Sequence, residues 1–190
     1  FAGEPVPTLE AAIALLVERG MGCNLEIKPC PGREMETAQA VAAILDAHWP
    51  PGYGRLLVSS FAPAAMARLR DMAPSVPRGL LVWDRTATML EEAAALGCVS
   101  IHCAHQHLDA AQARAVRAAG YRLLVYTVND PALAARLIGW GCDTIISDTG
   151  DAPAALPGGQ PGGSRAGPIA GPITDPTASA AARTAAAAAP

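Results

Sequence analysis

The sequence predicts an α/β fold built on a parallel sheet, and three observations lead to this prediction. Short apolar runs alternate with segments of helical periodicity as far as residue 148, which is the pattern of a parallel sheet with helical crossovers. Runs such as RLLVSSF and RLLVYTV are nearly continuous in apolar residues, as expected of strands covered on both faces. Apolar residues make up 51% of the chain and aromatic residues only 4%, so we expect an aliphatic core.

The first half of the chain is divided by clear helix start and stop signals. Predicted helices cover residues 9–19, 34–48 and the segment that begins at Pro63, and predicted strands cover 24–28, 56–61 and 79–83. Thr8 is placed as the N-cap of the first helix, which ends at Gly20. The second helix ends before Pro50. Pro63 fits the first position of the third helix, where its missing N–H costs nothing.

The second half repeats the same alternation. Predicted helices cover residues 86–96, 109–119 and 131–138, and predicted strands cover 99–103, 122–128 and 144–147. Gly97 and Gly120 follow two of these helices and are typical helix stops. The count is therefore six strands, with a helix before the first strand and a helix between each pair.

These residues alone are compatible with two arrangements of such a sheet, a doubly wound open sheet and a (β/α)₈ barrel. No G-x-G-x-x-G follows any strand, which removes the main mark of the dinucleotide-binding fold. A barrel needs eight units and about 250 residues, so a barrel here would lack its first two strands. The chain begins with Phe1 and no signal-peptide pattern follows. We therefore expect the numbering to start inside a longer protein.

Composition changes sharply after Asp148. Residues 149–190 hold seven of the 18 Gly and seven of the 17 Pro, and end in an alanine-rich stretch. Such a segment has little apolar surface to offset the entropy lost on ordering. We therefore expect a folded domain over residues 1–150 and a disordered Gly/Pro/Ala-rich tail over 151–190.

Charge and cysteine content exclude several classes of function. The net charge is −3, which provides no basic surface for nucleic acid or anionic lipid, and no apolar run reaches the length of a membrane span. Five cysteines, an odd number, occur without a C-x-x-C pair, which favours a reducing compartment such as the cytoplasm. We expect a small-molecule ligand, with neither nucleic acid nor membrane as a partner, and a homo-oligomer is left open.

Both arrangements of the sheet place functional sites at the carboxyl ends of the strands, so candidate functional residues are expected there. Along NLEIKP, side chains alternate between the two faces of the strand. Leu25 and Ile27 are therefore expected to face helices, whereas Glu26 and Lys28 face the barrel interior. One interpretation is a buried ion pair that only fixes packing. The other is a hard-cation ligand, Glu26, beside a phosphate-binding cation, Lys28, the sole lysine of the chain.

Other strand ends supply aromatic and polar side chains. Phe61 and Tyr126 would form an apolar wall for a small ligand, or else simply fill the core. Asn129 and Asp130 precede Pro131 and favour a helix cap. Asp148 is placed either as a helix cap or as a rim ligand.

The segment CVSIHCAHQH suggests a zinc site by composition. Strand alternation, however, turns His102 away from Cys103 and His105, so that few ligands converge. We therefore do not expect a metal site in this segment.

Seven motifs occur in register on successive elements. They are EPVPTLE (residues 4–10), NLEIKP (24–29), LVSSF (57–61), PRGLL (77–81), LGCVSIH (96–102), VYTVN (125–129) and WGCD (140–143). In these motifs the chain resembles the cytoplasmic bacterial glycerophosphodiester phosphodiesterases over residues 1 to about 150.

The resemblance implies a TIM barrel of which strands 3–8 are present. It implies metal-dependent hydrolysis of glycerophosphodiesters to an alcohol and sn-glycerol 3-phosphate, with Mg²⁺ or Ca²⁺ as the cofactor, in lipid and glycerol metabolism. Glu26 corresponds to a metal-ligand glutamate and Lys28 to a lysine beside the phosphate. Tyr126 and Phe61 correspond to aromatic positions near the glycerol moiety.

The opening motifs of that family are missing from these 190 residues. They are a His-Arg-Gly, a Glu-Asn-Thr, a Glu-x-Asp and a His-Asp, which supply the catalytic histidines and further carboxylates. We therefore expect those histidines upstream of Phe1 and an inactive fragment when residues 1–190 stand alone. A non-catalytic phosphodiester-binding barrel fragment and a related lipid phosphodiesterase of the same fold are the alternatives.

Overall fold

The structure, a computed structural model, describes residues 3–149 and confirms the predicted alternation of helices and parallel strands. The helices are α1 (Leu9–Glu18), α2 (Glu34–His48), α3 (Pro63–Met72), α4 (Met89–Ala95), α5 (Ala110–Ala118) and α6 (Pro131–Gly139). The strands are β1 (Cys23–Glu26), β2 (Leu56–Ser60), β3 (Arg78–Val82), β4 (Ser100–Ala104), β5 (Arg122–Tyr126) and β6 (Thr144–Ile145). None of the helices in the described range has both the length and the apolar character needed to cross a membrane. The predicted tail over 151–190 lies outside the described residues.

The described residues fall into two compact units, which are divided between Leu81 and Val82. In the first unit β1 pairs in parallel with β2, and β2 pairs in parallel with β3. In the second unit β4 pairs in parallel with β5, and β5 with β6. Within each unit the strands lie in chain order, which is the order of successive units in a (β/α)₈ barrel. The α/β class and the six parallel strands agree with the predicted incomplete TIM barrel.

The core of the first unit is aliphatic, as the composition predicts. It lies between one face of the strands and the helices α1, α2 and α3. Its buried members are Ile13, Ile27, Ala38, Ala42, Leu45, Leu56, Val58, Ala65 and Leu69. Because helices occupy this face, the alternate side chains, such as Glu26 on β1 and Ser59 on β2, are directed to the opposite face.

The helix ends follow the signals read from the sequence. The Thr8 hydroxyl oxygen accepts a hydrogen bond from the Ala11 N–H at 3.2 Å and caps α1. Pro63 occupies the first turn of α3. Gly20 and Gly120, which follow α1 and α5, have φ values of +65° and +90°, a conformation that favours glycine.

Three strands, β1, β5 and β6, end two residues earlier than predicted. β1 ends at Glu26 rather than at residue 28, although the Ile27 N–H still donates to the Ser59 carbonyl at 2.8 Å. Pro29 has no N–H with which to continue the ladder. β6 ends at Ile145 rather than at residue 147, but the backbone contact with β5 continues for one more residue, since the Ile146 N–H donates to a β5 carbonyl.

One helix starts later than predicted. α4 begins at Met89, whereas the pattern indicated residue 86. The Thr86 hydroxyl instead accepts a hydrogen bond from the Gln112 side chain at 2.7 Å, and the Thr88 hydroxyl donates to the Glu92 carboxylate at 2.6 Å. Thr86 therefore bonds to α5 and Thr88 bonds to a side chain of α4. Helical periodicity alone does not reveal these hydrogen bonds.

Asp143, immediately before β6, links three parts of the second unit. Its carboxylate accepts hydrogen bonds from Arg117 of α5 at 2.8 Å and from Arg122 of β5 at 2.9 Å. It also accepts the Leu123 N–H at 2.8 Å, while its own N–H donates to the Leu123 carbonyl at 2.8 Å. The Asp143 side chain thus joins the carboxyl end of α5 to the amino ends of β5 and β6.

His102 is a fully buried histidine on β4. Its Nε2 lies 2.9 Å from the Ser100 hydroxyl and shares a hydrogen bond with it, whereas its Nδ1 has no partner among the described residues. The neighbouring Cys103 points to the other face of β4, where its thiol contacts the Met89 sulfur at 3.9 Å. Burial lowers the pKa of His102 to about 4, so the ring is neutral at neutral pH.

We expect Asp143→Ala to lower the free energy of unfolding by about 2 kcal/mol, because it leaves the Leu123 N–H and two guanidinium groups without their acceptor. Urea denaturation followed by circular dichroism measures this change. The matched control is Asp84→Ala, which removes an exposed carboxylate of the same unit that forms no ion pair with any described residue. Equal stabilities of the two variants would contradict the role given to Asp143.

We expect His102 to make stability fall as pH falls from about 6.5 to 4. In this range the unfolded chain binds a proton at His102 that the folded chain does not, because the folded pKa is the lower one. The stabilisation is complete above about pH 6.5, and its full loss amounts to about 3 kcal/mol. Urea denaturation at several pH values should give a flatter profile for His102→Leu than for the wild type. Parallel profiles would show that His102 does not titrate in this way.

Candidate active site

The carboxyl end of β1 carries the two charged residues singled out from the sequence. Glu26 and Lys28 are exposed, whereas Ile27 between them is 2% exposed and belongs to the helix-facing core. The predicted alternation is therefore confirmed. The chain keeps this alternation beyond Glu26 because the Ile27 N–H donates to the Ser59 carbonyl at 2.8 Å and the Ser60 hydroxyl donates to the Ile27 carbonyl at 2.6 Å.

Glu26 and Lys28 do not form the buried ion pair that one interpretation of the sequence proposed. Both side chains are exposed, and within residues 3–149 neither takes part in a salt bridge. The reason is geometric, because no helix covers this face of β1 and both charges are left in water. A carboxylate and an ammonium group are therefore accessible to a ligand at one strand end.

β2 runs beside β1 and adds two groups to the same unit. Phe61 directly follows β2 at its carboxyl end and is 39% exposed. Ser59 is paired in register with Glu26 and is fully buried, and its hydroxyl has no hydrogen-bond partner among the described residues. Leaving a buried hydroxyl unpaired costs about 1–3 kcal/mol, so this oxygen is a place where a ligand, water or a moved side chain would be bound.

In the second unit, Tyr126 ends β5. It is half-buried, and its hydroxyl donates a hydrogen bond to the Val82 carbonyl at 2.7 Å. The hydroxyl is thus held by the backbone at the end of β3. What Tyr126 offers a ligand is the surface of its ring rather than its hydroxyl.

The second unit also contains an aromatic pair, Trp83 and His107, that was not predicted from the sequence. Trp83, directly after β3, is 50% exposed. Its ring packs edge to face against His107, with ring centroids 5.4 Å apart. The signal was available, since Trp83 follows the apolar run RGLLV at the carboxyl end of a predicted strand, a position where ligand-contacting residues are common.

The polar residues after β5 and β6 are mostly structural. Asp130 caps α6, and its carboxylate accepts the Ala132 N–H at 2.9 Å, as predicted. The Asn129 side-chain oxygen accepts hydrogen bonds from the Ser147 hydroxyl at 2.9 Å and from the Asp148 N–H at 3.0 Å. Asp148 itself is exposed. The Asn129 side chain therefore holds together the two segments that follow β5 and β6.

The donor chemistry of Glu26 suits a hard divalent cation, because Mg²⁺ and Ca²⁺ prefer carboxylate oxygens. A complete site needs more ligands. Within residues 3–149, no group of three or more Asp, Glu, His or Cys side chains is placed to hold a metal ion. The described residues therefore fit such an ion through one ligand, and the remaining ligands would have to come from elsewhere.

The chain is similar to known phosphodiesterases over most of its length. The model of the glycerophosphoryl diester phosphodiesterase family matches residues 1–152. A curated glycerophosphodiester phosphodiesterase of Caldanaerobacter subterraneus subsp. tengcongensis is 27% identical over 152 residues, which are 78% of this chain and 60% of that protein.

Solved structures agree with this match. A phosphodiesterase of Oleispira antarctica, determined in complex with the product sn-glycerol-3-phosphate, is 38% identical with a TM-score of 0.71, over 75% of this chain and 57% of that one. A glycerophosphodiester phosphodiesterase of Agrobacterium tumefaciens is 25% identical with a TM-score of 0.64, over 82% and 64% of the two chains. This chain thus spans about three fifths of the length of these relatives. Since the family match extends from the first residue to beyond β6, the chain belongs to the glycerophosphoryl diester phosphodiesterase family.

Proposed function

We propose that this protein hydrolyses glycerophosphodiesters to an alcohol and sn-glycerol 3-phosphate. The observation that carries the proposal is the family match over residues 1–152. The Oleispira phosphodiesterase, 38% identical, was solved with sn-glycerol-3-phosphate bound, and this supports the same product here. The reaction breaks the bond between phosphorus and the alcohol oxygen, forms a bond from phosphorus to a water oxygen, and transfers one proton from the water to the alcohol.

Lys28 is the residue we assign to the phosphate. Its ammonium group is exposed at a strand end and forms no ion pair within the described part of the chain, so it is available to an anion. A fixed positive charge beside the phosphate stabilises the negative charge that builds on its oxygens as water attacks. Lys28 therefore acts more on the transition state than on the ground state.

Glu26 is the residue we assign to a divalent cation, Mg²⁺ or Ca²⁺, as one of its carboxylate ligands. The cation supplies positive charge to the phosphate oxygens when it is bound. Glu26 lies two residues from Lys28 on the same face of the strand, so the two side chains would serve one phosphate group from neighbouring positions.

Phe61, in the first unit, and Tyr126, in the second, are each proposed as a substrate-binding aromatic residue. The exposed ring of Phe61 offers an apolar surface at the end of β2. The ring of Tyr126 is held in place by the hydrogen bond from its hydroxyl to the Val82 carbonyl. A held ring loses little conformational entropy when a ligand packs on it.

No proton-transfer group is assigned among the described residues. His102 is fully buried and its pKa is lowered to about 4 by burial, and therefore it does not suit an acid or base that must reach a substrate. This favours a second candidate function, a phosphodiester-binding fragment without catalysis. The absence of a three-ligand group within residues 3–149 supports the same candidate.

A cytoplasmic location and a role in lipid and glycerol metabolism are also proposed. All five cysteines are free thiols, and this agrees with a reducing compartment. The glycerol 3-phosphate released would enter reactions that use phosphorylated glycerol.

We expect the protein as the cell makes it to release glycerol 3-phosphate from glycerophosphocholine or glycerophosphoethanolamine when Mg²⁺ or Ca²⁺ is present. An enzyme-coupled assay with glycerol-3-phosphate dehydrogenase measures this release, and addition of EDTA is expected to abolish it. Binding of glycerophosphocholine by calorimetry without any release would instead support the non-catalytic candidate. Absence of both binding and release would overturn the proposed function.

We expect Glu26→Gln and Lys28→Met to separate two effects. The neutral amide of Glu26→Gln should weaken Ca²⁺ binding by about 10-fold or more, because it replaces a charged oxygen ligand. Lys28→Met should lower kcat by roughly 10²-fold with a smaller change in KM, because its charge acts in the transition state.

Calorimetric titration with Ca²⁺ and steady-state kinetics measure the two effects. The control is Glu18→Gln, at an exposed glutamate at the end of α1 that has no ion pair within residues 3–149, and it should change neither quantity. Unchanged Ca²⁺ affinity in Glu26→Gln, or a loss of stability alone in Lys28→Met, would contradict these assignments.

A further inference from the structure

Ser59, on β2, is a buried polar residue that the proposed function does not use. Its exposed fraction is 0% and its hydroxyl has no hydrogen-bond partner within residues 3–149. Buried hydroxyl groups in folded proteins are nearly always paired. An unpaired one therefore marks a position where a hydrogen-bond partner can be accommodated.

The direction of the Ser59 side chain follows from its neighbours in the sheet. Val58, the preceding residue, belongs to the helix-facing core, and so does Ile27 on β1. Side chains alternate along a strand, so Ser59 on β2 and Glu26 on β1 both point to the opposite face. The two residues are also partners in the parallel register of β1 and β2, and partners on one face have neighbouring side chains.

Two residues are in register with Ser59, one on each neighbouring strand. They are Glu26 on β1 and Gly79 on β3. Gly79 has no side chain, and therefore Glu26 is the registered neighbour that can accept a hydrogen bond from the Ser59 hydroxyl. The Glu26 carboxylate is exposed and makes no hydrogen bond to any of residues 3–149, so within this part of the chain both groups are available to form one.

From this juxtaposition we infer that Ser59 is a positioning residue for Glu26. Its hydroxyl donates a hydrogen bond to one carboxylate oxygen of Glu26 when the other oxygen binds a divalent cation. This inference rests on the proposed role of Glu26 as a cation ligand. The hydrogen bond fixes the rotation of a carboxylate that is otherwise mobile in water, and groups that orient a metal ligand in this way strengthen metal binding.

Ser60, the next residue, serves as a matched comparison. It is equally buried, but its hydroxyl donates to the Ile27 carbonyl at 2.6 Å and accepts the Ala62 N–H at 3.0 Å. Ser60 is therefore fully used in holding the backbone between β1 and β2. Removing its hydroxyl should affect folding, whereas removing that of Ser59 should affect ligand binding.

The test is calorimetric titration with Ca²⁺ of the protein as the cell makes it and of four variants: Ser59→Ala, Glu26→Gln, the double variant and Ser60→Ala. We expect Ser59→Ala to weaken Ca²⁺ binding by roughly 10-fold, with an unchanged or higher urea midpoint because an unpaired hydroxyl has been removed. In the Glu26→Gln background, Ser59→Ala should change affinity by less than about 2-fold, since the two residues act as one unit. Ser60→Ala should lower the urea midpoint, in contrast to Ser59→Ala, because it removes a hydroxyl that is fully hydrogen-bonded.

Two results would overturn the inference. If Ser59→Ala leaves Ca²⁺ affinity unchanged while Glu26→Gln weakens it, Glu26 is a ligand that Ser59 does not position. If the effects of Ser59→Ala and Glu26→Gln multiply in the double variant, Ser59 acts independently of Glu26. Hydrolysis of glycerophosphocholine by the wild-type protein is measured in parallel. Failure of the inference alone leaves that activity intact, whereas failure of the proposed function removes it.

Discussion

One face of β1 and β2 is covered by aliphatic helix residues, and this constraint determines where polar, ligand-binding side chains can lie. Ile13, Ala38 and Leu45 come from helices and pack against Ile27 and Val58 of the sheet region. A polar side chain on that face would be buried without a partner, at a high cost in free energy. Polar strand residues are therefore restricted to the other face and to the strand ends. Because side chains alternate, the identity of the core residues already fixes which neighbours are available to a ligand.

Much of this arrangement could be predicted from the sequence, because it depends on local periodicity. The apolar–polar alternation over residues 25–28 predicted which side chains face the helices and which face the opposite side of the sheet. Helix caps such as Thr8 and Asp130 were predictable for the same reason, since a cap is formed within three residues of the helix it starts. The fold class followed from the order of the elements, which required no knowledge of how distant segments meet.

The parts that could not be predicted depend on pairing between distant segments. Ser59 lies in an apolar run and looks like one of two equivalent serines, and only the register with Glu26 and Gly79 distinguishes it from Ser60. Asp143 belongs to a motif seen in the sequence, but its bonds to Arg117 and Arg122 span more than twenty residues. The sequence also left the packing role of a Glu26–Lys28 pair open. Solvent exposure, a property of the folded chain, decides against it.

The two hydrogen bonds between Asp143 and Leu123 limit how far the chain between α6 and β6 can vary in length. The Asp143 N–H donates to the Leu123 carbonyl, and the Asp143 carboxylate accepts the Leu123 N–H. The number of residues between α6 and β6 therefore determines whether Asp143 can reach Leu123. An insertion or deletion between Trp140 and Asp143 would shift this carboxylate out of reach. Ile27, which directly follows β1, is held in a comparable way, because its N–H and its carbonyl both bond to residues of β2. Changes in loop length are therefore expected to be tolerated better at a distance from these two strand ends than next to them.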